Sequence, residues 1–108
     1  MRFLTLKIML CLLLSLIISR IEANTNNYSI SGRISDERTG SPLPGASILI
    51  KGTYLWAVSD QKGEFTIQGI QEGKYQLEVS FLGYVPATVP VNVNNSIKGL
   101  KIQLKENT

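Results

Sequence analysis

The chain predicts an all-β fold, a seven-stranded sandwich of two sheets preceded by a helical signal peptide, and three observations predict it. Apolar side chains alternate with polar ones in one short run after another. Turns bearing glycine, proline or asparagine separate these runs roughly every eight to twelve residues. No amphipathic helical period appears after Ala23.

The densest evidence lies between Ser59 and Tyr84. In Phe65-Thr66-Ile67 and in the run Tyr75 to Phe81 every second side chain is apolar, which places these side chains on one face of a strand that a second layer must cover. Asp60-Gln61-Lys62-Gly63 and Gln71-Glu72-Gly73-Lys74 supply the reversals, each with a glycine able to take positive φ.

In chain order, Met1 to Ala23 reads as a secretory signal peptide. Arg2 and Lys7 give a positive start, Ile8 to Ile18 is nearly all apolar, and Ala23 offers a small residue at the cut. The apolar run is about half the ~20 residues that cross a bilayer. Residues 24–28 form a polar leader, 29–105 the sandwich domain and 106–108 a tail that trails off. The first strand alternates Tyr28, Ile30, Gly32 and Ile34 with polar neighbours. The loop from Asp36 to Gly45 holds two prolines and two glycines, and Leu43 between Pro42 and Pro44 is expected to tuck under the sandwich. Strands follow at Ala46–Lys51 and Tyr54–Ser59. The Asp60–Gly63 turn is expected to join the latter to Glu64–Ile67 as a hairpin, with Asp60 bonding an amide further along the turn. A fifth strand runs from Lys74 to Leu82 and ends at Gly83. The sixth, Thr88–Val93, contains Pro90 and so belongs at an edge or a bulge. Leu100, Ile102 and Leu104 mark the last. Gly45, Asp60, Gly63, Gly73 and Gly83 are thus the structural turn positions.

Composition narrows function. Removing the signal takes away Arg2, Lys7 and Arg20 and one acid, Glu22, so 11 basic and 8 acidic residues become 8 and 7 and the net charge falls from +3 to +1. No basic stripe with interleaved aromatics remains, which argues against nucleic acid. The single cysteine, Cys11, leaves with the signal, and the chain has no histidine. Carboxylates are the remaining catalytic candidates, and Asp36, Glu37, Asp60, Glu64, Glu72 and Glu78 fall in turns or on outward strand positions. No catalytic residue, cofactor or metal site is expected. Two carboxylates, Asp60 and Glu64, fall short of the ~6–8 oxygens calcium takes. Lys51, Glu78 and Asn92 would be the members of a lysine–asparagine isopeptide crosslink, a chemistry that needs them buried together. Asn27-Tyr28-Ser29 and Asn94-Asn95-Ser96 fit the glycosylation acceptor pattern, relevant to a eukaryotic secretory route. Tyr54 and Trp56 serve either hairpin packing or contact with a protein partner, and Tyr84 carries the same two readings.

Five motifs in order carry a resemblance: Ile30-Ser31-Gly32-Arg33-Ile34-Ser35-Asp36; Gly40 with Leu43-Pro44-Gly45-Ala46; Ile50-Lys51-Gly52-Thr53; Ser59 to Phe65; and Gly73-Lys74-Tyr75 through Val79 to Tyr84. Together they resemble the carboxypeptidase-regulatory-like domain, a transthyretin-like sandwich, in the variant found at the N-terminus of Bacteroidetes TonB-dependent outer-membrane receptors. Trp56-Ala57-Val58 departs from the glycine-threonine pattern usual there. The chain also stops where such receptors continue into plug and barrel, so it is expected to be a truncated or isolated module. The resemblance implies a non-catalytic periplasmic or outer-membrane-associated module of glycan uptake. Its partners would be envelope proteins, either the rest of a receptor or the energy-transduction complex, and it would have no membrane span after signal cleavage. The other reading is a free-standing secreted or surface module that binds carbohydrate or protein.

Overall fold

The computed structural model describes residues 5–11 and 26–107. Residues 5–11 are helical and expose Leu6, Ile8, Met9 and Leu10. The rest of the expected signal segment, including its cut after Ala23, lies outside the described residues. Among those described, no helix is long and apolar enough to cross a membrane.

Seven strands follow: β1 Tyr28–Asp36, β2 Ser47–Ile50, β3 Trp56–Val58, β4 Glu64–Ile70, β5 Gly73–Ser80, β6 Ala87–Val93 and β7 Ile97–Leu104. They form a three-stranded sheet ordered β4-β1-β7 and a four-stranded sheet ordered β3-β2-β5-β6. Neighbours are antiparallel except β1 and β7, the first and last strands, which run parallel.

The period-two pattern determines what lies between the sheets. Ile30 and Ile34 on β1, Phe65, Ile67 and Ile70 on β4, and Ile102 and Leu104 on β7 face Ile48 and Ile50 on β2, Leu77 and Val79 on β5 and Val93 on β6, all of them buried. Branched side chains suit this pleated interior, and burying each contributes about 1.5–3 kcal/mol. Leu43 closes the core from the loop, as its flanking prolines suggested.

Glycines bend the three-stranded sheet around β1. Opposite Tyr28–Ile30, β4 inserts an extra residue, with Gly69 at φ 77°, and opposite Ile30–Gly32, β7 does so with Gly99 at φ 71°. Both are bulges that take the left-handed backbone a glycine permits. They extend β4 to Ile70 and start β7 at Ile97, beyond the shorter runs that alternation marks out.

Two connections differ from the sequence reading. The Asp60–Gly63 turn does not close a β3–β4 hairpin: β3 pairs with β2, β4 pairs with β1, and the turn carries the chain from one sheet to the other. The true hairpin is β2–β3, around Lys51–Leu55. Residues 105–107, after β7, do not trail off either. Glu106 bridges to Tyr84, the Val85 amide donates to the Lys105 carbonyl at 2.8 Å, and the Asn107 amide to the Gly83 carbonyl at 2.8 Å. Pro90 sits, as expected, on the edge strand β6.

Candidate interaction surface

The β2–β3 turn is built by Thr53. Its hydroxyl donates to the Ile50 carbonyl at 2.8 Å and accepts from the Leu55 amide at 3.0 Å. With both polar ends held at the base of the turn, Tyr54 projects from its tip and is 100% exposed. Along β3, Trp56 lies opposite Leu49 and Val58 opposite Ser47 on the outer face, with Trp56 63% exposed.

The backbone of β3 is also open. The Ile50 amide bonds the Leu55 carbonyl and the Ser59 amide the Ala46 carbonyl, so these residues direct their polar groups toward β2. In an antiparallel ladder the intervening Trp56 and Val58 direct theirs outward. The other edges carry the usual protection: Pro90 on β6, Lys98, Lys101 and Lys105 on or just after β7, and Glu64 with the Gly69 bulge on β4. From Tyr54 to Ser59 there is no charge, no proline and no bulge. This edge can accept an added strand while Trp56 and Tyr54 supply apolar contact.

Tyr84, grouped with these two in the sequence, sits apart from them. Its ring packs against Phe81 at 5.4 Å, and its hydroxyl donates to Asp36 Oδ2 at 2.7 Å. It is half-buried and its polar end is turned inward, so it offers no free hydroxyl to a partner. Asp36 is not a solvated loop acid but a buried residue at the end of β1. Its Oδ1 accepts the amides of Arg38 at 2.8 Å and Thr39 at 3.0 Å.

The Tyr84 hydroxyl, followed by the Thr39 amide, holds the Asp36 carboxyl down at about 2, and the same carboxylate pushes the Tyr84 phenol up. The ionised form of Asp36 is therefore favoured by folding. Its contribution is complete above the ordinary carboxylate pKa near 3.8 and is lost as pH falls from there through about 2. Thermal melts of Asp36→Asn are expected to lose the part of the acid dependence between pH 4 and 2 that the parent shows there.

The turn positions anchor the frame. Asp60 Oδ1 accepts the Lys62 amide at 2.9 Å and the Glu64 amide at 2.8 Å, the use foreseen for it. The Gly45 amide bonds the Ser59 carbonyl, Gly63 accepts the Ile34 amide at 2.7 Å, and Gly83 accepts from Asn107. Gly73 is the first residue of β5 rather than part of a turn. Ser59 was missed. Buried where the chain changes sheets, its hydroxyl donates to the Leu43 carbonyl at 2.6 Å and accepts the Ala46 amide at 2.8 Å. A serine at a strand end carries no sequence mark that separates this role from a solvated one.

The three residues weighed for an isopeptide crosslink are not gathered in the core. Lys51 Nζ and Glu78 Oε1 are 4.0 Å apart and both exposed, and Asn92 is exposed opposite Lys74 on the outer face of the four-stranded sheet. The burial an isopeptide crosslink requires is absent at these three residues. Among the described residues no group of three His, Cys, Asp or Glu side chains could hold a metal ion.

Residues 30–108 match the CarboxypepD_reg-like domain. The TonB-dependent receptor SusC of Bacteroides thetaiotaomicron is 33% identical over 85 residues, 79% of this chain and 8% of the receptor. The TonB-dependent receptor P3 of Formosa agariphila is 29% identical over 102 residues, 94% of this chain and 10% of the receptor. The chain thus spans a tenth or less of the length of these curated relatives. Among solved structures, an interface mutant of a type II cohesin–X-dockerin complex from Acetivibrio cellulolyticus is similar, with TM-score 0.64 and 25% identity. The match covers 73% of this chain and 58% of that one.

Proposed function

Since the chain belongs to the CarboxypepD_reg-like domain family, we propose that it is an exported, non-catalytic module of the cell envelope that works by protein contact alongside a TonB-dependent receptor. The signal-like leader at residues 1–23 supports export to the periplasm or the outer-membrane surface. Residues 29–105, with Tyr28 of β1 and the paired Glu106 and Asn107 at either end, act there as the folded unit in nutrient uptake, with glycans as the cargo class. The observation that carries the reading is the uncharged, unpaired edge of β3 beneath an exposed Trp56 and Tyr54. Buried aromatic anchors dominate protein interfaces, and an open strand edge adds main-chain hydrogen bonds.

The test is binding of the purified protein to a TonB-dependent receptor purified from the same cells, measured by calorimetry. Joint replacement Trp56→Ser and Val58→Lys is expected to weaken binding at least tenfold, about 1.4 kcal/mol, with an unchanged circular dichroism spectrum and melt. Both side chains are largely exposed, so the core has no reason to respond. No binding by the parent, or equal binding by the variant, would remove the proposal.

A further inference from the structure

After β7 the chain does not simply exit. Residues 105–107 run antiparallel to 83–85 in the β5–β6 connection through the Val85-to-Lys105 and Asn107-to-Gly83 hydrogen bonds, with the Tyr84–Glu106 bridge between them. None of the side chains of Lys105, Glu106 and Asn107 enters the core, and all three are exposed. On the other side of the pairing, Leu82 is 96% exposed and Val85 is also exposed. Apart from the Tyr84 ring, which packs with Phe81 against the core, this short ladder therefore has little apolar burial to hold it, and none on the side of residues 105–107.

What anchors it is Tyr84. The residue sits in the middle of the 83–85 segment, and its hydroxyl reaches across to Asp36, a residue 48 positions earlier at the end of β1. Asp36 is fixed in turn by the core strand it terminates and by the Arg38 and Thr39 amides. Beside it, the Glu37 amide bonds the Leu104 carbonyl at 2.9 Å, so β7 itself remains tied to β1 up to the point where the ladder begins. The boundary between a firmly packed strand and a weakly held segment thus falls between Leu104 and Lys105.

We propose that Lys105–Asn107 is a releasable strap, latched through the Tyr84 hydroxyl to the Asp36 carboxylate, that sets the direction in which the chain leaves the sandwich. Latched, the segment continues rigidly from β7 across the β5–β6 connection. Released, it swings free and uncovers the backbone of Gly83 and Val85, while both sheets stay intact. Segments with few buried contacts open locally at a free energy well below that of global unfolding, and a hydrogen bond to a charged acceptor is strong enough to decide their population. The inference concerns the chain alone and does not depend on which partner the β3 edge meets, so its failure leaves the receptor reading standing.

Limited trypsin digestion of the whole purified protein tests it. Lys105 is the cleavage site within the strap, and Lys98 and Lys101 within β7 are internal controls. Tyr84→Phe keeps the ring against Phe81 and removes only the hydroxyl. It is expected to raise cleavage after Lys105 at least fivefold with no change at Lys98 or Lys101. Amide exchange of Asn107 and Val85 is expected to quicken by a similar factor while the Ile34 amide stays protected. Unchanged cleavage after Lys105 would overturn the latch. So would a parallel rise at all three lysines, which would mean that the hydroxyl supports the whole fold rather than the strap. Asp36→Asn offers a second route, expected to expose Lys105 in the same selective way.

Discussion

Gly63→Ala is expected to destabilise the sandwich by about 2–5 kcal/mol, read as a lowered urea midpoint with an unchanged slope. Two costs combine. Gly63 has φ 74°, a conformation that opposes any Cβ, and the Cβ would strike the Ile34 carbonyl oxygen. The Leu43 amide at 3.3 Å and the Pro42 side chain at 3.2 Å close the remaining directions. No relaxation is cheap, because Ile34 is a core residue whose amide also bonds the Gly63 carbonyl. Small domains hold only about 0.05–0.15 kcal/mol per residue, so a loss of this size removes a large share of the total. Gly52→Ala is the control: φ is 82°, but nothing lies within 4 Å of the added carbon. It should cost about 1–2 kcal/mol, the conformational part alone. Equal losses at the two sites would show that crowding against β1 is not what holds Gly63.

Ser59→Ala is expected to cost about 2–4 kcal/mol, although it removes one oxygen atom. The hydroxyl serves two backbone groups, the Leu43 carbonyl and the Ala46 amide, in a region closed to water. Each buried polar group left without a partner costs about 1–3 kcal/mol. Ser96→Ala removes a hydroxyl that accepts only the exposed Ser29 amide at 3.1 Å, and should change stability by less than about 0.5 kcal/mol. The contrast, measured by denaturant unfolding of both variants, separates a hydroxyl that ties a sheet crossing from one that decorates a surface.

These two residues also show where sequence reasoning ended. The layers were legible because burial imposes a period: Phe65 and Ile67, and Leu77 and Val79, are two apart and all lie inside. Asp60 was legible because Asx turns are local and their bonds close within four residues. Partner choice between strands was not. The β3 and β4 runs present the same alternation and a turn of hairpin length, so pairing with each other and pairing with β2 and β1 look identical along the chain. What separates the alternatives is Ser59 binding back to the loop before β2 and Gly63 binding back to β1, and both contacts span more than ten residues. The tie from Tyr84 to Asp36 was hidden for the same reason. An aromatic after a glycine carries no record of an acid 48 positions away, and Tyr54, read as the start of a strand, lies in the turn that Thr53 builds before β3 begins at Trp56.

The parallel pairing of β1 with β7 has a mechanical consequence. Because the first and last strands of the chain run in the same direction side by side, the chain enters the sheet at Tyr28 near one pole and departs past Leu104 near the other, about 25 Å away for an eight-residue strand. Tension applied between the two ends would load the hydrogen bonds linking Ile30–Asp36 to Ile97–Leu104 in shear, all together, rather than peel them apart in sequence. Pulled between Tyr28 and Leu104, the domain would resist through this one strand pair.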